Sequence, residues 1–137
     1  MLFRSGIPDA PETPYRITSN SIEKNDPSGK IIEFPLSITK ILGKRIPTAG
    51  GFYLRILPLS MVQKTIEQYE KNNMPTVFYI HSWELTPELM PRISLPIKQR
   101  FVTYHNLDKA FPRMDKLIKK YEFTSFEKYL DENKFRV

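Results

Sequence analysis

From Lys30 onward the apolar and polar positions fall into short blocks of differing period. Ile31 to Leu36 and Ser37 to Leu42 are brief β-branched runs that predict two strands, with Gly43 and Lys44 as the turn that follows. Leu59, Val62, Ile66 and Tyr69 then recur at i, i+3, i+7 and i+10, which predicts one face of an amphipathic helix opened by Pro58 and closed by Asn72 or Asn73. Asn72, Asn73 and Pro75 punctuate the start of Thr76 to Ile80, whose Val, Phe, Tyr and Ile content predicts a buried strand. Helix into strand through a short link is the αβ half of a βαβ unit, so the chain reads as α/β. Further on, Phe111, Met114, Leu117, Ile118 and Tyr121 mark a second amphipathic helix, with Pro112 tolerated in its first turn. Phe123 to Phe126 predicts a closing strand or an extended edge.

The rest is less patterned. Residues 1–30 carry Pro8, Pro11, Pro14 and Pro27 among small polar residues and read as an irregular approach segment, with only the run Tyr15 to Ile17 able to pack. Such a stretch far exceeds the usual connection of about 4–6 residues, so the chain is expected to begin in the middle of a larger fold. Residues 31–130 hold the patterned body, and 131–137 a polar tail expected to fray. Thr86 to Pro96, with three prolines, reads as a surface loop, and Ser94 to Tyr104 gives no clear period.

Composition narrows the classes. With 137 residues and 40% hydrophobic content the chain has one domain's worth of core. It has no cysteine, which excludes disulfides, thiolate metal sites and a cysteine nucleophile. The formal charge of +6 favours anionic polymers or surfaces, yet the basic residues form no dense run and no nucleic-acid-binding motif, so no specific nucleic-acid partner is expected. No apolar run reaches the roughly 18 residues of a membrane span, and the first residues lack the apolar core of a signal peptide, so the sequence carries no address and leaves the compartment undetermined, a cytoplasmic one being the first expectation.

Candidate chemistry concentrates in Pro75 to Leu85, PTVFYIHSWEL. His81 sits where the predicted strand ends, and in parallel α/β folds ligands gather at the carboxyl ends of strands. Trp83 is either the wall of a ligand site or a packing residue. Glu84 either orients His81 by accepting its second N–H or, the expected state, is a solvated carboxylate. The pair Gly50-Gly51 before Phe52-Tyr53-Leu54-Arg55 predicts a tight loop feeding a helix, with backbone dihedrals closed to other residues. Tyr53 and Arg55 are candidate contacts to sugar hydroxyls or carboxylates, the alternative for Arg55 being a local acidic partner. His105 reads as a loop or helix-start residue, and no role attaches to Arg100 or Tyr104. Two histidines without a carboxylate partner make no metal site.

The ordered segments GIPDAPETPYRI, IIEFPLS, AGGFYLRILP, VFYIHSWEL and RFVTYHNLD resemble the C-terminal part of bacterial polysaccharide deacetylases of the NodB-homology class, in the exopolysaccharide-locus branch, over about residues 6–126. That family shows Ala-Gly-Gly-Gly-Tyr-Phe-Arg and Phe-Tyr-Phe-His-Pro-Trp-Glu segments. Here Phe52 stands at the third glycine, Leu54 at the phenylalanine and Ser82 at the proline after the histidine. The resemblance implies the C-terminal portion of a distorted (β/α) barrel, incomplete in this chain, that removes N-acetyl groups from amino sugars of a polysaccharide. It implies that His81 protonates the leaving amine; beside it Trp83, Tyr53 and Arg55 stand as the substrate-binding candidates and Gly50 and Gly51 as the loop-shaping ones. The divalent metal of the full-length parent, usually zinc, would be held by an Asp and two His upstream, beside a second Asp acting as base. This chain has no His-x-x-x-His, so it is expected to bind no metal, to be inactive alone, and to need the missing N-terminal part of the barrel as partner. Its unpaired strand edges would favour aggregation or edge-to-edge dimers. The competing expectation is a non-catalytic module of the same fold that holds glycan or an anionic partner through Trp83, Tyr53 and its net positive charge.

Overall fold

The computed structural model describes residues 11–133; the expectations for residues 1–10 and for 134–137 of the tail fall outside them. The architecture is mixed α/β with more helix than strand, and no closed barrel forms among the described residues. Strands β1 (Tyr15–Ile17) and β2 (Ile31–Glu33) pair antiparallel, as do β3 (Ile38–Ile41) and β4 (Lys44–Pro47). The loop between β1 and β2 is knitted by Asp26, which accepts bonds from Thr18 and from the backbone and hydroxyl of Ser28. The expected turn at Gly43-Lys44 lies one residue earlier. Leu42 and Gly43 both have positive φ and form a two-residue hairpin loop, freeing Lys44 to begin β4. The single sequence hid this strand because Lys-Arg-Ile-Pro is half charged and ends in proline.

After β4 the chain continues through Thr48 to Gly50 into α1 (Gly51–Ile56) and α2 (Leu59–Lys71). Pro58 separates them: the residue before a proline disfavours helical dihedrals, and Leu57 has ψ 152. The carbonyls freed at the end of α1 are taken by one guanidinium, since Arg113 Nη1 donates to Leu54, Arg55 and Leu57 at 2.7, 3.1 and 2.8 Å. α2 matches its predicted span and closes as a Schellman motif. Asn73 takes φ 53, its N–H bonds Glu70 O, and Met74 N–H bonds Tyr69 O. That reversal aims the chain back along the molecule.

Residues 74–81 return extended, as the apolar run predicted, but only Tyr79 forms a bridge, parallel to Gly50. Tyr79 N–H donates to Ala49 O at 2.8 Å and Gly51 N–H to Tyr79 O at 2.9 Å, while Val77 N–H reaches the buried Ser37 hydroxyl at 2.9 Å. The helix-to-extended link is present, but the expected buried strand is not: the parallel pairing is one isolated bridge, and within Thr76 to Ile80 only Val77 is buried. α3 (Ser82–Leu85) follows, then a proline-bearing stretch, α4 (Ile97–Tyr104), α5 (Ala110–Lys120) and α6 (Phe126–Glu132). The unpatterned Ser94–Tyr104 stretch thus contains a helix, and the expected strand at 123–126 is an irregular link that Ser125 converts into α6 by capping Lys128 N–H. Phe34 receives α6, its ring 4.4 Å from Phe126.

Leu54, Val62, Ile66 and Leu117 form the core, ringed by Leu57, Leu59, Phe78, Ile80, Met114 and Tyr121. The helical spacing put Val62, Ile66 and Leu117 there, and burial of each such side chain is worth about 1.5–3 kcal/mol. Tyr69 joins them by its ring, and its hydroxyl accepts the buried Ile38 N–H at 2.9 Å, tying α2 to β3. Burial pushes the Tyr69 phenol above its ordinary value.

Candidate functional site

The parallel pairing delivers His81 to the carboxyl end of the 76–80 segment. His81 is still extended, with φ −83 and ψ 146, and is the N-cap of α3. Its imidazole is half-buried in an aromatic row: it stacks on Trp83 with centroids 5.4 Å apart at 16°, and meets Tyr79 edge-on at 4.8 Å. Tyr79 is 41% exposed, so one end of the row faces solvent.

Beneath the row lies a buried ion pair. Glu84, expected to be solvated, is 2% exposed. Helix α3 turns it inward because three residues past the N-cap a side chain lies over the start of the helix, where Glu84 Oε2 accepts the His81 backbone N–H at 3.1 Å. Glu84 thus acts on the backbone of His81, not on its imidazole as the sequence suggested. Its Oε1 accepts from Arg55 Nε at 3.1 Å and Nη2 at 3.0 Å. The Arg55 fork also donates to the carbonyls of Val102 (2.9 Å), Thr103 (3.5 Å) and His105 (2.6 Å). Every guanidinium nitrogen is engaged and the residue is 1% exposed, so Arg55 lies out of reach of a saccharide and the acidic-partner alternative describes it. Desolvation draws the Arg55 guanidinium below its ordinary value, opposed by the Glu84 charge.

The glycines earn their place differently from expectation. Neither Gly50 nor Gly51 has positive φ. What Gly51 supplies is absence of a side chain: a Cβ there would coincide with the Glu84 carboxylate. Gly50 stands at the parallel bridge, where a Cβ would meet only the Tyr53 ring at 3.5 Å. Tyr53 is half-buried and meets Phe52 edge-on at 5.5 Å. Phe52 also packs 6.1 Å from Phe101 of α4. His105 ends α4 and stacks on Phe101 at 4.3 Å.

The structure therefore brings His81 and Trp83 together in a half-buried aromatic row whose Tyr79 end faces solvent, pairs Gly50 with Tyr79, and withdraws Arg55 inside. Sequence reasoning missed the Arg55–Glu84 pair as a unit; the available signal was an Arg four residues after a Gly-Gly and a Glu three residues after a strand end. It also missed Arg113, which capping of α1 makes structural. Among the described residues no group of three His, Asp or Glu side chains is placed to hold a metal ion, so this donor set does not fit a metal centre. What the row offers chemically is an imidazole, a side chain able to donate or accept a proton, beside flat faces suited to sugar rings.

The model of a domain of unknown function, DUF3473, matches residues 3–131. The chain belongs to that family. No curated protein and no solved structure matches it. For this DUF3473 chain the match spans both the approach segment and the His81 region, so the two form one family unit.

Proposed function

We propose that this DUF3473 chain is the C-terminal portion of a metal-dependent polysaccharide deacetylase, in which His81 donates the proton that lets the amino-sugar nitrogen leave. The observation carrying the reading is the placement of His81 at the carboxyl end of an extended segment that follows α2 and bridges in parallel to Gly50, a position comparable to the strand ends where barrel enzymes assemble their chemistry. Among the described residues no metal donor set is found; in this reading the metal and hydrolytic water are held by residues outside the chain, whose own part is proton delivery and sugar contact. Glu84 and Arg55 fix the backbone on which the imidazole stands; Trp83 stacks on that imidazole and Tyr79 meets it edge-on.

A second observation agrees with an incomplete barrel. The extended segment bonds through Val77 and Tyr79 on one edge, whereas the amides of Phe78 and Ile80, which face the other edge, have no hydrogen-bond partner among the described residues. An open edge of that kind takes a further strand.

The test is expression of the chain together with the reading frame upstream of Met1, followed by measurement of acetate released from an N-acetylated polysaccharide. The expected outcome is that the frame carries an Asp pair and a His-x-x-x-His motif, and that His81→Ala lowers kcat about 10²-fold or more while metal content and KM hold. Equal activity in variant and wild type, or a genome without such a frame, removes the general-acid role. In the latter case the aromatic row favours the glycan-binding alternative, marked by polysaccharide binding that Trp83→Ala abolishes.

A further inference from the structure

Helix α4 has no buried residue. An amphipathic helix ordinarily turns its apolar face to the core, yet Ile97 is 80% exposed and Phe101 49%, and the ribbon leading in presents Leu89 at 76% and Ile93 at 57%. This surface is built, not frayed. The Tyr104 hydroxyl accepts Ile93 N–H at 3.1 Å and donates to Pro91 O at 3.0 Å, and the Arg92 guanidinium lies 4.7 Å over the Tyr104 ring. These ties hold Ile93 and Ile97 at a shallow groove of about 450 Å³ that Arg92 and Arg100 also line. Between Glu88 and Asp108 the sequence has Arg92, Lys98 and Arg100 and no carboxylate.

We propose that this surface docks the protein onto an anionic lipid membrane. The tips of Leu89, Ile93 and Ile97 enter the boundary between headgroups and acyl chains, while Arg92, Lys98 and Arg100 meet the phosphates. Apolar side chains that project singly from a proline-bearing ribbon and one short helix suit a fluid boundary that closes around them. A protein partner would call for a fitted apolar centre depleted of lysine, with acidic groups opposite. The net charge of +6 adds long-range attraction to an acidic leaflet. None of these residues is in the aromatic row, so the docking face is separate from the site around His81.

Sedimentation of the full chain with vesicles tests it. Binding is expected to phosphatidylcholine vesicles containing phosphatidylglycerol, to fall with added salt, and to be lost with phosphatidylcholine alone. Arg92→Ala with Arg100→Ala should weaken binding by about 25-fold, from roughly fivefold per cation. Ile93→Asp with Ile97→Asp should abolish it with the circular dichroism spectrum unchanged, since both side chains are exposed. Lys40→Ala with Lys71→Ala, which removes the same charge elsewhere, should retain binding. Equal sedimentation with neutral vesicles, no sedimentation with either, or an equal loss in the Lys40/Lys71 variant overturns the proposal. So does a dimer dispersed by Ile97→Asp without vesicle binding, which would assign the face to a second copy of the chain.

Discussion

Replacing Arg55 by methionine removes the centre of the buried network while roughly keeping its volume. The Arg55 and Glu84 side chains are 1% and 3% exposed, so water cannot take over what the guanidinium gives up. Glu84 would be left as an unpaired interior carboxylate, and the carbonyls of Val102, Thr103 and His105 would lose their shared donor. Breaking one side of a buried pair costs about 3–5 kcal/mol. For a chain of this size that corresponds to a fall in Tm of about 10–20 °C. Urea titration followed by fluorescence of Trp83, the sole tryptophan and the neighbour of Glu84, and by far-ultraviolet circular dichroism reads the loss directly. The companion Arg55→Met/Glu84→Leu removes the stranded charge and should recover at least about 1 kcal/mol relative to Arg55→Met, a non-additivity diagnostic of direct coupling. It should not recover fully, because the three carbonyls and the His81 N–H stay without their partners. A single variant costing under about 1 kcal/mol, or a double variant whose loss equals the sum of the singles, would refute the claim that this pair holds α1, α3 and the end of α4 together.

Two further outcomes follow from the fold. Tyr69→Phe strands the buried Ile38 N–H and should cost about 1–3 kcal/mol in the same urea titration, a loss below about 0.5 kcal/mol showing that the 2.9 Å bond does not bridge α2 and β3. Leu42 is 98% exposed and held at φ 49, so Leu42→Asn should stabilise by about 1 kcal/mol through relief of left-handed strain, and an unchanged or lower Tm would refute that account of the hairpin.

Much of this protein was legible one residue at a time, where local physics decides. The i, i+3, i+7 spacing marked α2 and the Asn pair marked its end, since apolar periodicity and left-handed asparagine act within a few residues. The apolar spacing of α5 and the extended run into His81 were legible for the same reason. What the sequence could not determine by itself was which way polar side chains point. Glu84 reads as a solvated carboxylate until Arg55, 29 residues away, is brought to it. Gly51 reads as a flexible turn until that carboxylate is seen to occupy the space of its missing Cβ. β4 was not read from Lys-Arg-Ile-Pro until the Leu42-Gly43 turn folded it against β3, and the apolar side chains of α4 turn away from this core. Local propensity and periodicity depend on neighbours in the chain, whereas the burial of a charge depends on a partner that only tertiary folding supplies.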